Sequence, residues 1–360
     1  MTTDVLVAAD APAPEPHRRR GGLSPLARYL LMRLALIIPM LWVLVTLVFF
    51  LMRVIGDPIT AAQGGRLTPA QIAERKAEAG LDRPLVVQYL EYLGNVVRGD
   101  FGTTLTDNRD VTDILVVNGA ATLELAFWSL IVAFAVGIPL GRVAARYRDR
   151  TPDVALRLFA IVAYAAPVFF VGLLLKLAVA PFGWPTSGRA STSTELALAK
   201  VDPQTHIMIV DAILWGDPEY VWDVLQHAVL PALALGLLTG GVFLRLVRVN
   251  MLQTMRADYV TAARARGVSE KKVERKHAFR NALVPVVTVM GMQIAMLLGG
   301  AVLTETTFEW KGIGYELSQY LIRRDFLAVQ GIVTAIAFIV CIASFLIDAI
   351  VALVDPRVRF

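Results

Sequence analysis

Few residues in this 360-residue chain have types and spacing that could do chemistry, and their arrangement excludes most reactions. The four histidines, His17, His206, His227 and His277, lie in unrelated segments, so they predict no metal site. Cys341 stands alone and can form no internal disulfide. No G-x-x-x-x-G-K-[ST] occurs, so the chain lacks the backbone cradle and lysine that hold nucleotide phosphates. H-E-x-x-H, C-x-x-C and G-x-S-x-G are absent too, which leaves neither a zinc protease pair nor a serine nucleophile elbow. The reading is a non-enzyme with no cofactor of its own. Three ionisable residues stand inside long apolar runs: Glu124, Lys176 and Asp348. Charges there are costly and count as functional candidates by default. Each lies within a turn or two of a run's end, where pairing or snorkelling accounts for it more cheaply than a proton relay.

The elements that position these residues follow from composition. Apolar residues make up 56% of the chain and charged residues 18%, against about 25% charged in an ordinary soluble domain. A bilayer core about 30 Å thick needs about 20 apolar residues per helical crossing. Six segments qualify: 34–52, 114–141, 158–180, 224–244, 281–304 and 326–347. The expected fold is therefore an all-α polytopic membrane protein with six transmembrane helices. Pro39, Pro139, Pro167, Pro231 and Pro285 fall in or beside these runs and predict kinked rather than broken helices.

Six crossings place both termini on one side. With that side cytoplasmic, 22 Lys and Arg lie inside and 11 outside, while acidic residues divide nine inside and nineteen outside. This asymmetry predicts cytoplasmic termini in a bacterial inner membrane. The net charge of +5 thus marks orientation, and no nucleic-acid partner is implied. Residues 1–27 read as a disordered cytoplasmic tail whose Arg18, Arg19 and Arg20 anchor topology near anionic lipid, and 28–55 as a retained first crossing rather than a signal peptide. Residues 56–113 form an outer loop with short helices. Thr68, Pro69 and Gln71 predict a capped start and Gly80 a stop, followed by an apolar stretch over 85–93 ended by Gly94. A second outer loop, 181–223, carries Trp184, Trp215 and Trp222 for the membrane interface. The five-helix core spans 114–354, with a short end over 355–360.

The inner loop within 245–285 carries ten of the inside positives and is far longer than a turn requires. It predicts one helix over about 250–266, placing Met251, Met255, Tyr259, Ala262 and Ala263 at helical spacing. Gly267 supplies a left-handed stop, and Ser269 caps a second helix through Val273, His277 and Phe279. Ala262 and Ala263 beside the break leave room for another surface, ringed by Arg264, Arg266, Lys271 and Lys272. A solvated basic loop obeying the charge rule explains the periodicity equally well.

The order Thr261-Ala262-Ala263-x-x-x-Gly267, with nine residues to His277, resembles the EAA loop of binding-protein-dependent ABC importer permeases. The string from Asp258-Tyr259 to Pro285 is similar to the dipeptide/oligopeptide branch. So are Gly56-Asp57-Pro58, Gly99-Asp100-Phe101-Gly102, Thr122-Leu123-Glu124, His227 with Leu230-Pro231-Ala232, Gly299-Gly300 with Glu305, and Asp355-Pro356-Arg357. The sequence departs from the motif in Thr261, where the family has Glu, and in Arg280, where it has Pro.

The resemblance implies a type I importer permease fold and a place in a larger complex. Its partners are a second homologous permease subunit, cytoplasmic ATP-binding subunits that hold ATP and Mg, an extracytoplasmic substrate-binding protein, and membrane lipid. It implies that Asp258, Tyr259, Ala262, Ala263, Arg264, Arg266, Gly267 and His277, within the loop 248–281, dock the ATPase. The cargo implied is di- or oligopeptide, although similar permeases carry nickel, glutathione, haem or oligosaccharide. Gln293 and Glu305 are the expected pathway residues. The competing readings are a self-contained channel or an ion-coupled secondary transporter, and a membrane-embedded enzyme.

Overall fold

A computed structural model describes residues 25–63, 67–202 and 204–354. The tail expected over 1–24, including the arginine triplet, and the end 355–360 lie outside the described residues; the stretch 25–27, expected in the tail, is already helical. Seventeen α-helices are described: α1 Pro25–Ile55, α2 Pro58–Gln63, α3 Pro69–Glu78, α4 Leu85–Val97, α5 Val111–Arg146, α6 Thr151–Ala165, α7 Val168–Val179, α8 Thr192–Leu198, α9 Met208–Trp215, α10 Pro218–Thr254, α11 Asp258–Ala265, α12 Glu270–Lys272, α13 Phe279–Ala282, α14 Val284–Gly300, α15 Val302–Phe308, α16 Ile313–Ile322 and α17 Phe326–Val354. The all-α expectation holds among the described residues.

Four helices, α1, α5, α10 and α17, are long and apolar enough to cross a membrane, and a fifth crossing results if α6 and α7 count as one. That pair is bent by 106°, a break where a kink was expected. The cause is local. Ala166 precedes Pro167 and takes ψ 131°, because the proline ring disfavours a helical conformation in the residue before it. Pro39, Pro139 and Pro231 stay inside continuous helices. The run 281–304 is divided among α13, α14 and α15.

The centre of the bundle is the pair α5 and α10. Their backbones touch through glycines on both sides. A Cβ added at Gly137 would lie 2.6 Å from the Gly240 carbonyl oxygen, one at Gly141 2.6 Å from that of Leu244, and one at Gly236 2.7 Å from that of Ser129. Small residues are what let membrane helices approach so closely, since burial against lipid gives no hydrophobic reward. Gly241 continues the contact to Ala160 of α6.

Around this pair, Val48 and Met52 of α1 pack with Val111 and Ile114 of α5, Tyr320 of α16 and Ile332 of α17. Arg33 pairs with Asp348 at 3.3 Å, so the start of α1 meets the end of α17 and both lie at one end of the bundle. The loop after α10 lies at that end too, where Glu274 meets Arg142 near the end of α5.

The opposite end is covered by ordered loops. Thr68 caps α3 through the expected reciprocal box with Gln71. Helix α4 runs through Gly94 to Val97 instead of stopping there, because Gly94 faces open space and is helical in φ. The loop after α7 has its own small core of Ala190, Leu198, Ala212 and Val224.

Glycine substitution separates contact from propensity. Gly137→Ala should destabilise the bundle by about 1–3 kcal/mol through overpacking. Gly94→Ala, with nothing within 4 Å, should stabilise α4 slightly. Thermal unfolding in detergent checks both signs.

Candidate functional site

The loop between α10 and α14 is built in layers. α10 continues to Thr254, so Met251 belongs to the bundle and the expected helix over 250–266 is really two, broken at 255–257. Gly267 then turns the chain at φ +75°, the left-handed conformation expected of it. Ser269 occupies the cap position of α12 but makes no side-chain cap hydrogen bond. The second helix is not a plain α-helix either. Val273–Ala278 forms a π-helical turn, and α13 continues it. Such turns insert an extra residue and recur at functional sites.

Val260, Ala263 and Val273 are fully buried together, with Val268 packed on them. Ala263 is therefore the core of the loop, not part of an open surface as the sequence suggested. Asp258, Tyr259, Ala262 and Arg266 are the exposed face of α11. Arg264 turns back to hold Glu270 through both carboxylate oxygens, at 3.0 and 2.6 Å, and donates to the Met255 carbonyl at 3.3 Å. The hydrogen bond from Arg264 holds the Glu270 carboxyl below its ordinary pKa. Both side chains are exposed, so this pair orients the loop more than it stabilises it. His277 is half-buried, and its carbonyl accepts from Asn281 at 2.9 Å.

Two contacts tie the loop to the bundle. Glu274, buried, accepts from Arg142 Nε at 2.8 Å, and the same guanidinium lies 5.3 Å from the Phe279 ring. Met251, Ala278, Ala282 and Val286 pack with Phe243 and Val247 of α10. The segment that follows α11 is thus fixed to α5, α10 and α14.

A cavity of about 920 Å³ opens between α6, α10 and α14. Its walls are mostly apolar, with Gln293 on α14 and Tyr164 on α6. Glu305 is not there. It is fully buried at the opposite end of the bundle, where its carboxylate accepts from Thr122 Oγ1 at 2.7 Å and from the Tyr315 N–H at 2.9 Å. A Cβ at Gly312 would collide with this carboxylate. Glu305 is a structural knot joining α5, α15 and α16.

The charges inside apolar runs are paired. Glu124 accepts from Arg189 Nη2 at 2.5 Å and from the N–H groups of Met208 and Ile209 at 3.1 and 2.9 Å. Lys176 donates to Ser187 and to the Thr307 carbonyl, and Asp348 meets Arg33. Arg189 was not singled out by sequence. Sixty-five residues separate it from Glu124, and nothing local announces the pair.

Residues 137–360 match the family model described as binding-protein-dependent transport system inner membrane component, and residues 26–126 match its N-terminal companion. The chain belongs to this family. It is a non-catalytic permease subunit of a binding-protein-dependent ABC transporter. Three curated relatives cover nearly its whole length. It is 38% identical over 337 residues to the dipeptide transport system permease protein of Escherichia coli strain K12, covering 92% of this chain and 98% of that one. Identity is 38% over 331 residues to the di/tripeptide transport system permease protein of Pseudomonas aeruginosa, covering 91% and 97%. The dipeptide transport system permease protein of Haemophilus influenzae is 35% identical over 335 residues, covering 92% and 99%. The permease is therefore a multi-pass inner-membrane protein that works with ATPase and binding-protein partners.

The buried pair gives a stability test. Arg189→Met leaves Glu124 buried without its cation and should cost about 3–5 kcal/mol, whereas the double variant Arg189→Met with Glu124→Gln should recover much of that loss. Detergent melting curves of the three proteins measure the coupling.

Proposed function

We propose that the permease imports di- or oligopeptides handed over by an extracytoplasmic binding protein, driven by ATPase subunits that dock on the face formed by α11. The observation that carries the reading is the construction of the loop. An exposed surface of Asp258, Tyr259, Ala262 and Arg266 stands on a private core and is linked through Glu274–Arg142 to α5. A rigid lever of this kind lets nucleotide-driven closure in one partner bias a two-state helix bundle in another. Arg264, Gly267 and His277 act in docking by shaping the loop, and Ala263 by filling it.

The printed functions of the relatives support the peptide cargo. In this reading the bundle crosses the membrane six times, with α6 and α7 as one broken crossing. α14 is the fifth, its 17 residues spanning about 26 Å. The charge asymmetry supports cytoplasmic termini, on the same side as the docking loop. A second homologous permease subunit completes the pathway, with the cavity beside Gln293 as this chain's share of it. A self-contained proton-coupled carrier is the weaker reading, because Glu124, Lys176 and Asp348 all have partners within the chain.

Two substitutions separate docking from loop geometry. Ala262→Trp enlarges an exposed position and should abolish co-purification of the ATPase subunits while the permease still folds. Gly267→Val forces a branched residue into the left-handed region, at about 1–2 kcal/mol, and should uncouple ATP hydrolysis from peptide uptake. Normal uptake by both variants in proteoliposomes would remove the docking assignment.

A further inference from the structure

The end of the large cavity nearest the docking loop is lined by three guanidinium groups, those of Arg157 on α6 and of Arg245 and Arg248 on α10. One carboxylate serves them. Asp153, fully buried, accepts from Arg248 Nε at 2.6 Å and Nη2 at 2.7 Å, and stands 3.7 Å from Arg157 Nε. It also accepts from the Asp149 N–H at 2.9 Å. Arg248 is therefore locked, while Arg157 keeps most of its donors free. Arg245 is exposed to the cavity and, among the described residues, meets no carboxylate and makes no hydrogen bond. Asp149, whose charge also acts on Arg248, is paired with Arg148, so the three guanidinium groups keep a positive excess that calls for an anion.

The rest of the wall says which anion. Gln293 lines the same cavity without a hydrogen-bond partner among the described residues, and Tyr164 lines it too. An acyl chain would leave such groups unsatisfied at a cost of several kcal/mol per group, so the cavity suits a wet, hydrogen-bonding occupant better than a lipid tail. A peptide has amides for Gln293, side chains for the apolar wall, and one obligatory negative charge.

We propose that Arg245, with Arg157 beside it, receives the C-terminal carboxylate of the transported peptide at this end of the cavity. Arg248 positions the site: its fork on Asp153 keeps the buried carboxylate from competing for Arg245. The permease thereby has a substrate preference of its own, for cargo with a free carboxylate, separate from that of the binding protein. This inference rests on the peptide reading above.

The test uses the intact transporter complex, purified with its partner subunits, in nanodiscs without nucleotide or binding protein. The probes are L-alanyl-L-alanine and its C-terminal amide, titrated calorimetrically. A charge-assisted contact is worth enough to change affinity by about tenfold. The free dipeptide should bind about tenfold tighter than the amide. Arg245→Gln should abolish that difference by weakening only the free dipeptide, and Arg245→Lys should retain part of it. Equal binding of both probes, or no binding of either, overturns the proposal. So does an Arg245 effect that follows phosphatidylglycerol content instead of the probe, which would make the occupant a lipid. Loss of the partner permease from the Arg245→Gln complex would make the cavity a subunit joint, and likewise overturns it. Peptide uptake by the wild-type complex with its binding protein is measured alongside. If uptake is normal and Arg245→Gln binds both probes like the wild type, only the carboxylate site fails. If no peptide is taken up, the peptide reading itself fails.

Discussion

The structure depends on how closely α5 and α10 approach. In lipid, helices gain nothing from burying leucine against leucine, so association rests on backbone contact and on polar groups that find partners. Gly137, Gly141 and Gly236 remove the side chains that would hold the two axes apart. Other elements are then hung on this pair. α6 leans on α10 at Gly241, α15 and α16 are tied to α5 through Glu305 and Thr122, and the loop proposed for docking sits on the ends of both helices through Arg142 and Phe243. A protein meant to switch between states needs such a unit, because only a rigid core passes a small displacement from one end to the other.

Electrostatics divides the molecule by role. Towards the end opposite the docking loop, buried carboxylates are held within the chain: Glu124 is paired with Arg189 and accepts from two backbone N–H groups, and Glu305 accepts from a hydroxyl and a backbone N–H. These arrangements close loops over the bundle. Near the docking loop, cations outnumber their partners, both on the loop and at the cavity mouth. Part of that surplus sets topology. The part at Arg245 faces a cavity, and topology alone does not require a charge there.

Much of the local structure was legible in the residues. Thr68, Pro69 and Gln71 announced a helix start, and Gly267 a left-handed turn, because each rule involves atoms only a few bonds apart. The apolar runs announced helices, since backbone groups in lipid have no other partners. Illegibility began where the outcome turned on what lies opposite. Pro167 breaks its helix while Pro231 does not, although both sit in apolar runs; Pro231 is itself buried in the bundle. Ala262 and Ala263 are adjacent and identical, yet one faces outward and the other fills the core with Val260 and Val273. Glu305 read as a pathway residue, and the fold buries it among α5, α15 and α16, away from the cavity.

By itself the sequence determined the class of molecule: membrane helices, their orientation signals, the absence of a nucleotide site, and a long basic inner loop. These follow from composition, period and short-range spacing, which any conformation of the chain carries. Only the tertiary structure decided which charges are neutralised and which are left over. Arg189 and Arg245 look alike in the sequence, but folding brings a carboxylate to one from 65 residues away and, among the described residues, none to the other. Coulomb energy depends on distance through space, and distance through space is what the fold adds to the order of residues.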